Sequence, residues 1–294
     1  MATPGAVVKD NATPEPALYG LLSSAVTVVN DTSEHWQNGF FYETLDCLSE
    51  VKLTSICNAA ASVTAIEPSG ADSFRRYDTF NVQTMFKCSS MSRRPEEVAE
   101  IAERAAEACV QKALEQEFWG GALAKVAAED WNANNDEEYP NRYLASENAV
   151  DVTPTPGTGV KAKYALALLE RALGDCGCGI SGTIHVTRDV ATTLGLKDKG
   201  GHLVTSLGNA VVAGTGYSGI GPDGYPAPAG KVWAYATGPV TVRLGARELS
   251  PIEYTAADIA NTNTVIYQVD QVAAVTWNSC CHYAVLVDLS LDYS

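Results

Sequence analysis

Positive charge is scarce in this 294-residue chain, which carries 20 lysines and arginines against 35 aspartates and glutamates. The formal net charge of -15 means that the surface as a whole repels other polyanions. A protein that binds nucleic acid or an anionic membrane through its surface needs a basic face that neutralises phosphates. The composition therefore argues against nucleic-acid recognition and against binding to an anionic membrane.

Long apolar runs are missing as well. Apolar runs such as residues 284 to 286 are far shorter than the ~20 residues that a helix needs to cross a bilayer. Residues 1 to 10 lack the basic and apolar regions of a signal peptide. We therefore expect no membrane partner and a protein made in the cytosol. Its 46% of hydrophobic residues can fill a sizeable core, as one elaborate domain or two intertwined ones.

Histidine is rare, and no nucleophilic triad can be assembled from the sequence. None of the histidines stands beside a serine or cysteine in a recognisable nucleophile elbow. His185 alternates with Ile184 and Val186, which predicts an outward-facing histidine on a strand. We therefore predict no catalytic residue among the four histidines, His35, His185, His202 and His282.

Eight cysteines fit the cytosolic interpretation best as buried thiols, because disulfides are rare in a reducing compartment. Zinc is the alternative at Cys176 and Cys178, since thiolates and imidazoles are its usual ligands. A single residue between these two cysteines is tighter than the usual two to four, so no metal site is predicted. The remaining cysteines are Cys47, Cys57, Cys88, Cys109, Cys280 and Cys281, and the last two adjoin His282.

A glycine-rich segment matches the dinucleotide-binding pattern G-x-G-x-x-G at Gly214, Gly216 and Gly219. That pattern binds a pyrophosphate when a helix follows, because the helix N-terminus supplies the N–H donors. Prolines and further glycines follow here between 221 and 230, so no helix is expected. We predict a flexible loop without a cofactor, ordered only on meeting a partner. A soluble nucleotide- or metal-binding enzyme is the alternative from a different functional class.

The strongest local signal predicts a long amphipathic helix from Pro95 to about residue 118. Pro95 suits the first helical position, and the glutamates behind it suit the positive end of the helix dipole. Gly120 and Gly121 predict its end. At ~1.5 Å per residue this helix is roughly 35 Å long, which indicates a spine. Its apolar stripe is predicted to contain Val98, Ile101, Ala102, Ala105, Cys109, Lys112 and Ala113, with Gln111 and Glu115 mostly on other faces.

Residues 1 to 45 are typical of an extended arm, because they contain several prolines. The arm ends in an aromatic group that indicates docking on another surface. Its members are Trp36, Phe40, Phe41 and Tyr42.

The segment between the arm and the helix predicts a long two-stranded excursion. Residues 51 to 56 and 80 to 86 alternate as strands around a break at 68 to 70, and Arg75 and Arg76 lie near the turn. A lone hairpin is marginal in water, so this one should rest on its own domain or on another subunit.

The second half of the chain predicts short α and β units after an acidic connector at 129 to 139 and a boundary at 154 to 157. The last strand is nearly all apolar, which indicates burial on both faces. The predicted elements are a helix at 160 to 173, a short helix up to 194, strands at 182 to 186 and 209 to 213, a hairpin of 231 to 236 and 239 to 244, and long strands at 264 to 277 and 283 to 289.

The order of these elements resembles the major capsid proteins of tailed bacteriophages, which have the Hong Kong 97 fold. The resemblance covers nearly the whole chain. Encapsulin shell proteins share the fold and are the alternative within it. The resemblance is most specific to the capsid proteins of actinobacterial phages in the segments 165 to 173, 182 to 186, 211 to 217, 236 to 240 and 284 to 288.

The resemblance implies an α+β fold of named parts. These are an N-terminal arm (1 to 45), strands with an extended E-loop (46 to 92, the loop at about 57 to 86), the spine helix and peripheral domain (93 to 152), an axial domain (153 to 250), a returning peripheral strand (251 to 279) and a C-terminal axial strand (280 to 294). Lys52 and Lys87 flank the E-loop, so the lysine–asparagine cross-link of some family members is not expected.

It also implies hexamers and pentamers that form an icosahedral shell around double-stranded DNA, without sequence-specific DNA binding. The implied location is the virion, assembled in the host cytoplasm, and scaffold, portal and decoration proteins are the implied further partners. No catalytic, cofactor or metal residue is expected. Intersubunit contacts are expected at Phe74, Arg75, Arg76, Tyr77, Trp36, Phe40 and Phe41.

Overall fold

The computed structural model describes residues 15–24, 26–33, 35–43, 74–89, 94–132, 142–176, 181–253, 255, 262–277 and 281–291. Several sequence predictions lie outside the described residues: most of the E-loop, the strand at 51 to 56, the break at 68 to 70 and most of the acidic connector. Cys47, Cys57, Cys178 and Cys280 lie outside them as well.

The predicted spine helix is confirmed as α1 (Pro95–Gly120). It ends because Gly121 adopts the left-handed conformation (φ 60°) and its N–H donates to the Glu117 carbonyl at 2.7 Å. Gly121 turns the chain directly into a second helix, α2 (Ala122–Asn132). This helix was not predicted, and its last residues fall in the predicted acidic connector.

The buried face of α1 is rotated from the predicted stripe. Cys109 and Lys112 are exposed, although the prediction placed them inside. Gln111 and Glu115 were expected mostly outside and are 1% and 0% exposed. The prediction was wrong because it assigned polar residues to water, whereas these two are hydrogen-bonded in the interior. Apolar residues that recur every four positions line the buried face: Val98, Ala102, Ala106, Val110, Leu114 and Phe118.

α1 packs on a four-stranded sheet in which one pair of strands is parallel and the others are antiparallel. Val265, Tyr267 and Val269 point from the sheet towards the first half of the helix. The strand predicted at 264 to 277 is confirmed. The strand order is β1 (Thr27–Asn30), β11 (Val240–Glu253), β12 (Thr264–Trp277) and β4 (Phe80–Ser89).

A seven-stranded sheet occupies the other half of the molecule. Its order is β5 (Val150–Asp151), β13 (His282–Asp288), β10 (Lys231–Thr237), β6 (Thr183–Thr187), β9 (Ala210–Gly214), β8 (Leu203–Val204) and β7 (Lys197–Asp198). Helices α3 (Ala162–Asp175) and α4 (Arg188–Thr193) pack on one face. The other face meets the end of α1 at Phe118 and Trp119. Burial of β13 on both faces, as predicted, follows from this sandwiching.

The predicted hairpin of residues 231 to 236 and 239 to 244 is wrong. β10 belongs to the seven-stranded sheet and β11 to the four-stranded sheet, so residues 238 and 239 carry the chain from one sheet to the other. A short Gly-Pro link suggests a turn in sequence, but strand pairing is decided by partners far along the chain.

A disulfide joins Cys176 and Cys281, which the sequence analysis expected as thiols. Their Cα atoms are 5.9 Å apart and 105 residues separate them in sequence. Cys109 is a free and exposed thiol. The expectation of buried thiols is therefore wrong for this pair.

Ala102 is fully buried where α1 meets the four-stranded sheet. Ala102→Phe should lower the free energy of unfolding by about 1 to 3 kcal/mol, because the packed interface has no room for a ring. Urea denaturation followed by circular dichroism measures this. Ala105→Phe is the matched control. Because Ala105 is only half-buried, this variant should lose clearly less free energy of unfolding. Equal losses at both positions would contradict the observed helix face.

Candidate functional site

Two segments far apart in sequence pair in a two-stranded sheet, here called the aromatic ribbon: β2 (Phe40–Glu43) and β3 (Phe74–Tyr77). The strands are antiparallel, with Phe41 opposite Arg76 and Tyr42 opposite Arg75. Arg75 and Arg76 lie in the second of these strands, and the turn predicted near them is outside the described residues. Residues 40 to 43 therefore fix the position of residues 74 to 77.

The inner face of the ribbon is anchored on the four-stranded sheet, on the side opposite α1. Trp36, Phe40 and Tyr77 pack with Ala274 of β12, and the rings of Phe40 and Tyr77 are 5.9 Å apart. The guanidinium of Arg243 lies 5.1 Å from the Phe40 ring centre. These contacts hold the ribbon against its own subunit.

The outer face of the ribbon presents Phe41, which is 71% exposed. Arg76 beside it forms an ion pair with Asp78 at 2.9 Å. Trp36 and Tyr77, also expected at subunit contacts, are 6% and 4% exposed because they face inward. Among these residues, Phe41 offers the largest apolar surface for a partner.

A second cluster, here called the polar junction, lies where α1, the N-terminal segment and the glycine-rich segment meet. The Glu115 carboxylate accepts hydrogen bonds from the N–H groups of Leu21 and Gly216, each at 2.8 Å, and from the Thr215 hydroxyl at 3.1 Å. One turn earlier, the Gln111 side chain accepts from the Leu22 N–H at 3.1 Å. The junction thereby ties three distant stretches of chain together.

The glycines of the G-x-G-x-x-G pattern serve this packing. A Cβ at position 216 would collide with the Lys112 carbonyl and lie 2.8 Å from Glu115 Cβ. The Gly216 N–H already donates to Glu115. The prediction of a loop that is flexible until it meets a partner is wrong for this part, because Gly214, Gly216 and Tyr217 are buried against α1 and the adjoining strands.

Two buried histidines sit beside the polar junction, between the sheets. Nδ1 of His185 lies 3.0 Å from the Tyr217 hydroxyl, and its Nε2 lies 3.0 Å from the Thr237 hydroxyl. His282 Nε2 lies 2.8 Å from the Leu144 carbonyl. The prediction of an outward-facing His185 is wrong, because β6 is buried on both faces.

Burial sets the charge of this pair. Loss of hydration lowers the pKa of His185 to about 3, with a smaller contribution from His282. Burial lowers the pKa of His282 to about 4, and the nearby Arg142 acts in the same direction, against the opposing effect of the Leu144 carbonyl. Burial, followed by the Glu115 charge, raises the pKa of Tyr217 well above its ordinary value. Both histidines are therefore neutral at physiological pH.

The geometry of the polar junction indicates a structural role rather than a ligand-binding one. Its donors and acceptors face one another, and the glycine N–H that a phosphate would need is taken by Glu115. Within the described ranges, no three His, Cys, Asp or Glu side chains are grouped so that they could hold a metal ion. In the same part of the chain, no helix is long and apolar enough to cross a membrane.

Gln111 and Glu115 were not predicted as residues that organise the fold. Their signal was positional: they are four residues apart and directly follow Val110 and Leu114 on the buried face. A polar pair at that spacing on a helix has a shared environment, which hydropathy alone does not describe.

The buried histidines should make the fold sensitive to acid. Each histidine stays neutral in the native state, whereas in the unfolded chain it binds a proton below about pH 6.5. Acid therefore stabilises the unfolded state relative to the native state. Stability is therefore full above pH 6.5 and falls as the pH drops towards 4. Between pH 7 and pH 5 the expected loss is about 2 kcal/mol per histidine, measured by urea unfolding.

The variant His35→Asn is the control for this pH dependence. His35 is exposed and has φ 71°, a conformation that asparagine tolerates. The His35→Asn variant should lose as much stability in acid as the native protein, whereas the His185→Gln variant should lose less. Equal stability of the native protein at pH 7 and pH 5 would contradict the assignment.

Gly216→Ala should destabilise the protein by about 1 to 3 kcal/mol, because the added Cβ meets the backbone of α1. Gly174→Ala is the matched control, since its Cβ would meet nothing within 4 Å and it lies in α3. Alanine there should stabilise the helix by about 0.5 to 1 kcal/mol. Thermal unfolding of both variants measures the difference. Unchanged stability of the Gly216→Ala variant would contradict the packing role assigned to Gly216.

No family model and no curated protein matches this sequence. Solved structures do match over nearly the whole chain. The capsid of an empty GTA particle is 14% identical, with a TM-score of 0.53 and coverage of 98% of this chain and 94% of that chain. A chain from Mycobacterium phage Adephagia is 13% identical, with a TM-score of 0.51 and coverage of 96% and 94%.

The SrpI encapsulin complex from Synechococcus elongatus is similar to the same degree. It is 12% identical, with a TM-score of 0.50, and the match covers 98% of this chain and 94% of that one. At such identities the likeness concerns the fold, and it extends through both sheets and the spine helix. The chain has the α+β Hong Kong 97-type fold of phage capsid and encapsulin shell proteins, as the order of its predicted elements indicated.

Proposed function

We propose that this protein is a major capsid protein that assembles into hexamers and pentamers of an icosahedral shell around the double-stranded DNA of a tailed phage. The observation that carries the proposal is the match of 98% of the chain to the capsid of a GTA particle. The expected further partners of this protein are scaffold, portal and decoration proteins.

The distribution of exposed apolar side chains supports assembly. A ring of identical subunits needs two different patches on each subunit, because the contact is head-to-tail. Exposed apolar residues occur on separate elements, which a monomer would leave in water. They include Phe41 on β2, Met85 on β4, Leu123 and Val126 on α2, Leu207 before β9 and Tyr225 before β10.

The charge of the chain is consistent with enclosing DNA. With a formal charge of -15, the protein repels the phosphate backbone rather than adhering to it. A container needs no sequence-specific contact with its contents. We propose, on the same basis, that the protein acts in the virion after assembly in the host cytoplasm and carries no catalytic residues.

Negative-stain electron microscopy with light scattering tests the proposal on the purified full chain, alone and with the products of neighbouring genes. Closed shells or rings of five and six subunits are the expected result. A stable monomer or dimer under all of these conditions would overturn the proposal.

Phe41→Asp should abolish assembly while leaving the subunit folded. The side chain is 71% exposed, so the folded monomer loses little, but assembly would have to remove a charge from water at a subunit contact. Light scattering should show small species, and circular dichroism an unchanged melting temperature. Tyr164→Asp is the matched control at a 53% exposed aromatic on α3, and it should still form shells. Shells at normal yield from Phe41→Asp would sink the assignment of the ribbon as a contact.

An encapsulin-like compartment is the second candidate, because the SrpI encapsulin complex matches over the same length. The two functions differ in what the particle contains. Nuclease-protected DNA of uniform length in particles from the natural source supports the phage capsid. A stoichiometric cargo protein without DNA supports the encapsulin.

A further inference from the structure

The Cys176–Cys281 disulfide lies where the chain enters the seven-stranded sheet for the last time. Trp277 ends β12 in the four-stranded sheet, and His282 begins β13 in the seven-stranded sheet. Cys281 directly precedes β13, and Cys176 directly follows α3. The bond therefore fastens the returning chain to the helix that covers the sheet.

The covalent loop closed by this bond contains strands of both sheets. Residues 176 to 281 include β6, β9 and β10 of the seven-stranded sheet and β11 and β12 of the four-stranded sheet. β13 itself lies between β5 and β10 and pairs with β10 along seven residues. Since closing a long loop restricts the unfolded chain, the bond opposes the unfolding of both sheets together.

We propose that Cys176 and Cys281 form a redox lock, closed by a small-molecule disulfide such as oxidised glutathione when the protein leaves the reducing compartment in which it is made. One protein thiolate attacks a sulfur of the small disulfide and displaces one thiol. The second protein thiolate then attacks the mixed disulfide and displaces the other. The two protein thiols lose two protons and two electrons, and the small disulfide is reduced to two thiols. The lock is a property of the single chain and stands independently of the shell.

Burial makes the bond a lock rather than an exchange site. Cys176 and Cys281 are 7% and 0% exposed and pack in the apolar core formed by α3 and the seven-stranded sheet. Exchange requires a thiolate that reaches the bond, so reagents act only when the start of β13 opens. The exposed thiol of Cys109 lacks such protection and provides an internal reference for reagent access.

Peptide mapping of the full chain tests the proposal. The protein is refolded from the reduced state with reduced and oxidised glutathione, alkylated with N-ethylmaleimide and digested without reductant. The expected result is a linked pair of peptides containing Cys176 and Cys281, with Cys109 alkylated. Dithiothreitol should open the bond in urea but leave it closed in the native protein.

Thermal unfolding gives the independent readout. The locked protein should melt roughly 5 to 10 °C above the same protein kept reduced. The variant with both Cys176→Ser and Cys281→Ser should lose this difference, and Cys109→Ser should retain it. Recovery of Cys176 and Cys281 as alkylated thiols after the glutathione treatment would overturn the proposal. Pairing of either with Cys178 or Cys280 instead, or equal melting of locked and reduced protein, would do the same.

Discussion

The buried carboxylate of Glu115 imposes the constraint on which the rest of the structure depends. A carboxylate removed from water is strongly destabilising unless donors surround it. Here the donors come from Leu21 in the N-terminal segment and from Thr215 and Gly216 after β9. None of these segments can leave α1 without exposing an unpaired charge to the interior. The helix, the N-terminal segment and the glycine loop therefore fold as one unit.

That unit explains how one helix organises two sheets. The first half of α1 contacts the four-stranded sheet through Val98, Ala102 and Ala106, and its end contacts the seven-stranded sheet through Phe118 and Trp119. The polar junction lies between these two contacts along the helix. It fixes the rotation of α1 about its axis, because a rotated helix would turn Glu115 away from its donors. Both apolar contacts depend on that rotation.

Features that local sequence patterns determine were predicted correctly. Features that depend on partners far along the chain were not. Pro95 and Gly121 mark the ends of α1, and the apolar run of β13 indicates burial on both faces, so these were found. The separation of β10 from β11 was missed, because each pairs with strands far along the chain. Glu115 was missed because its donors are about 100 residues away on either side. The contact role of Phe41 stays a prediction, since it depends on a second subunit.

Hydrogen-bonded polar groups lie in the interior of the molecule, whereas several large apolar side chains lie on its surface. Inside, Glu115, His185 and His282 are paired with donors or acceptors of the same chain. Outside, Phe41 and the apolar residues of α2 remain in water. Covering them adds apolar burial without disturbing any interior hydrogen bond. In the proposed assembly, association can be weak at each contact and still be specific, because the folded subunit presents these side chains in fixed positions.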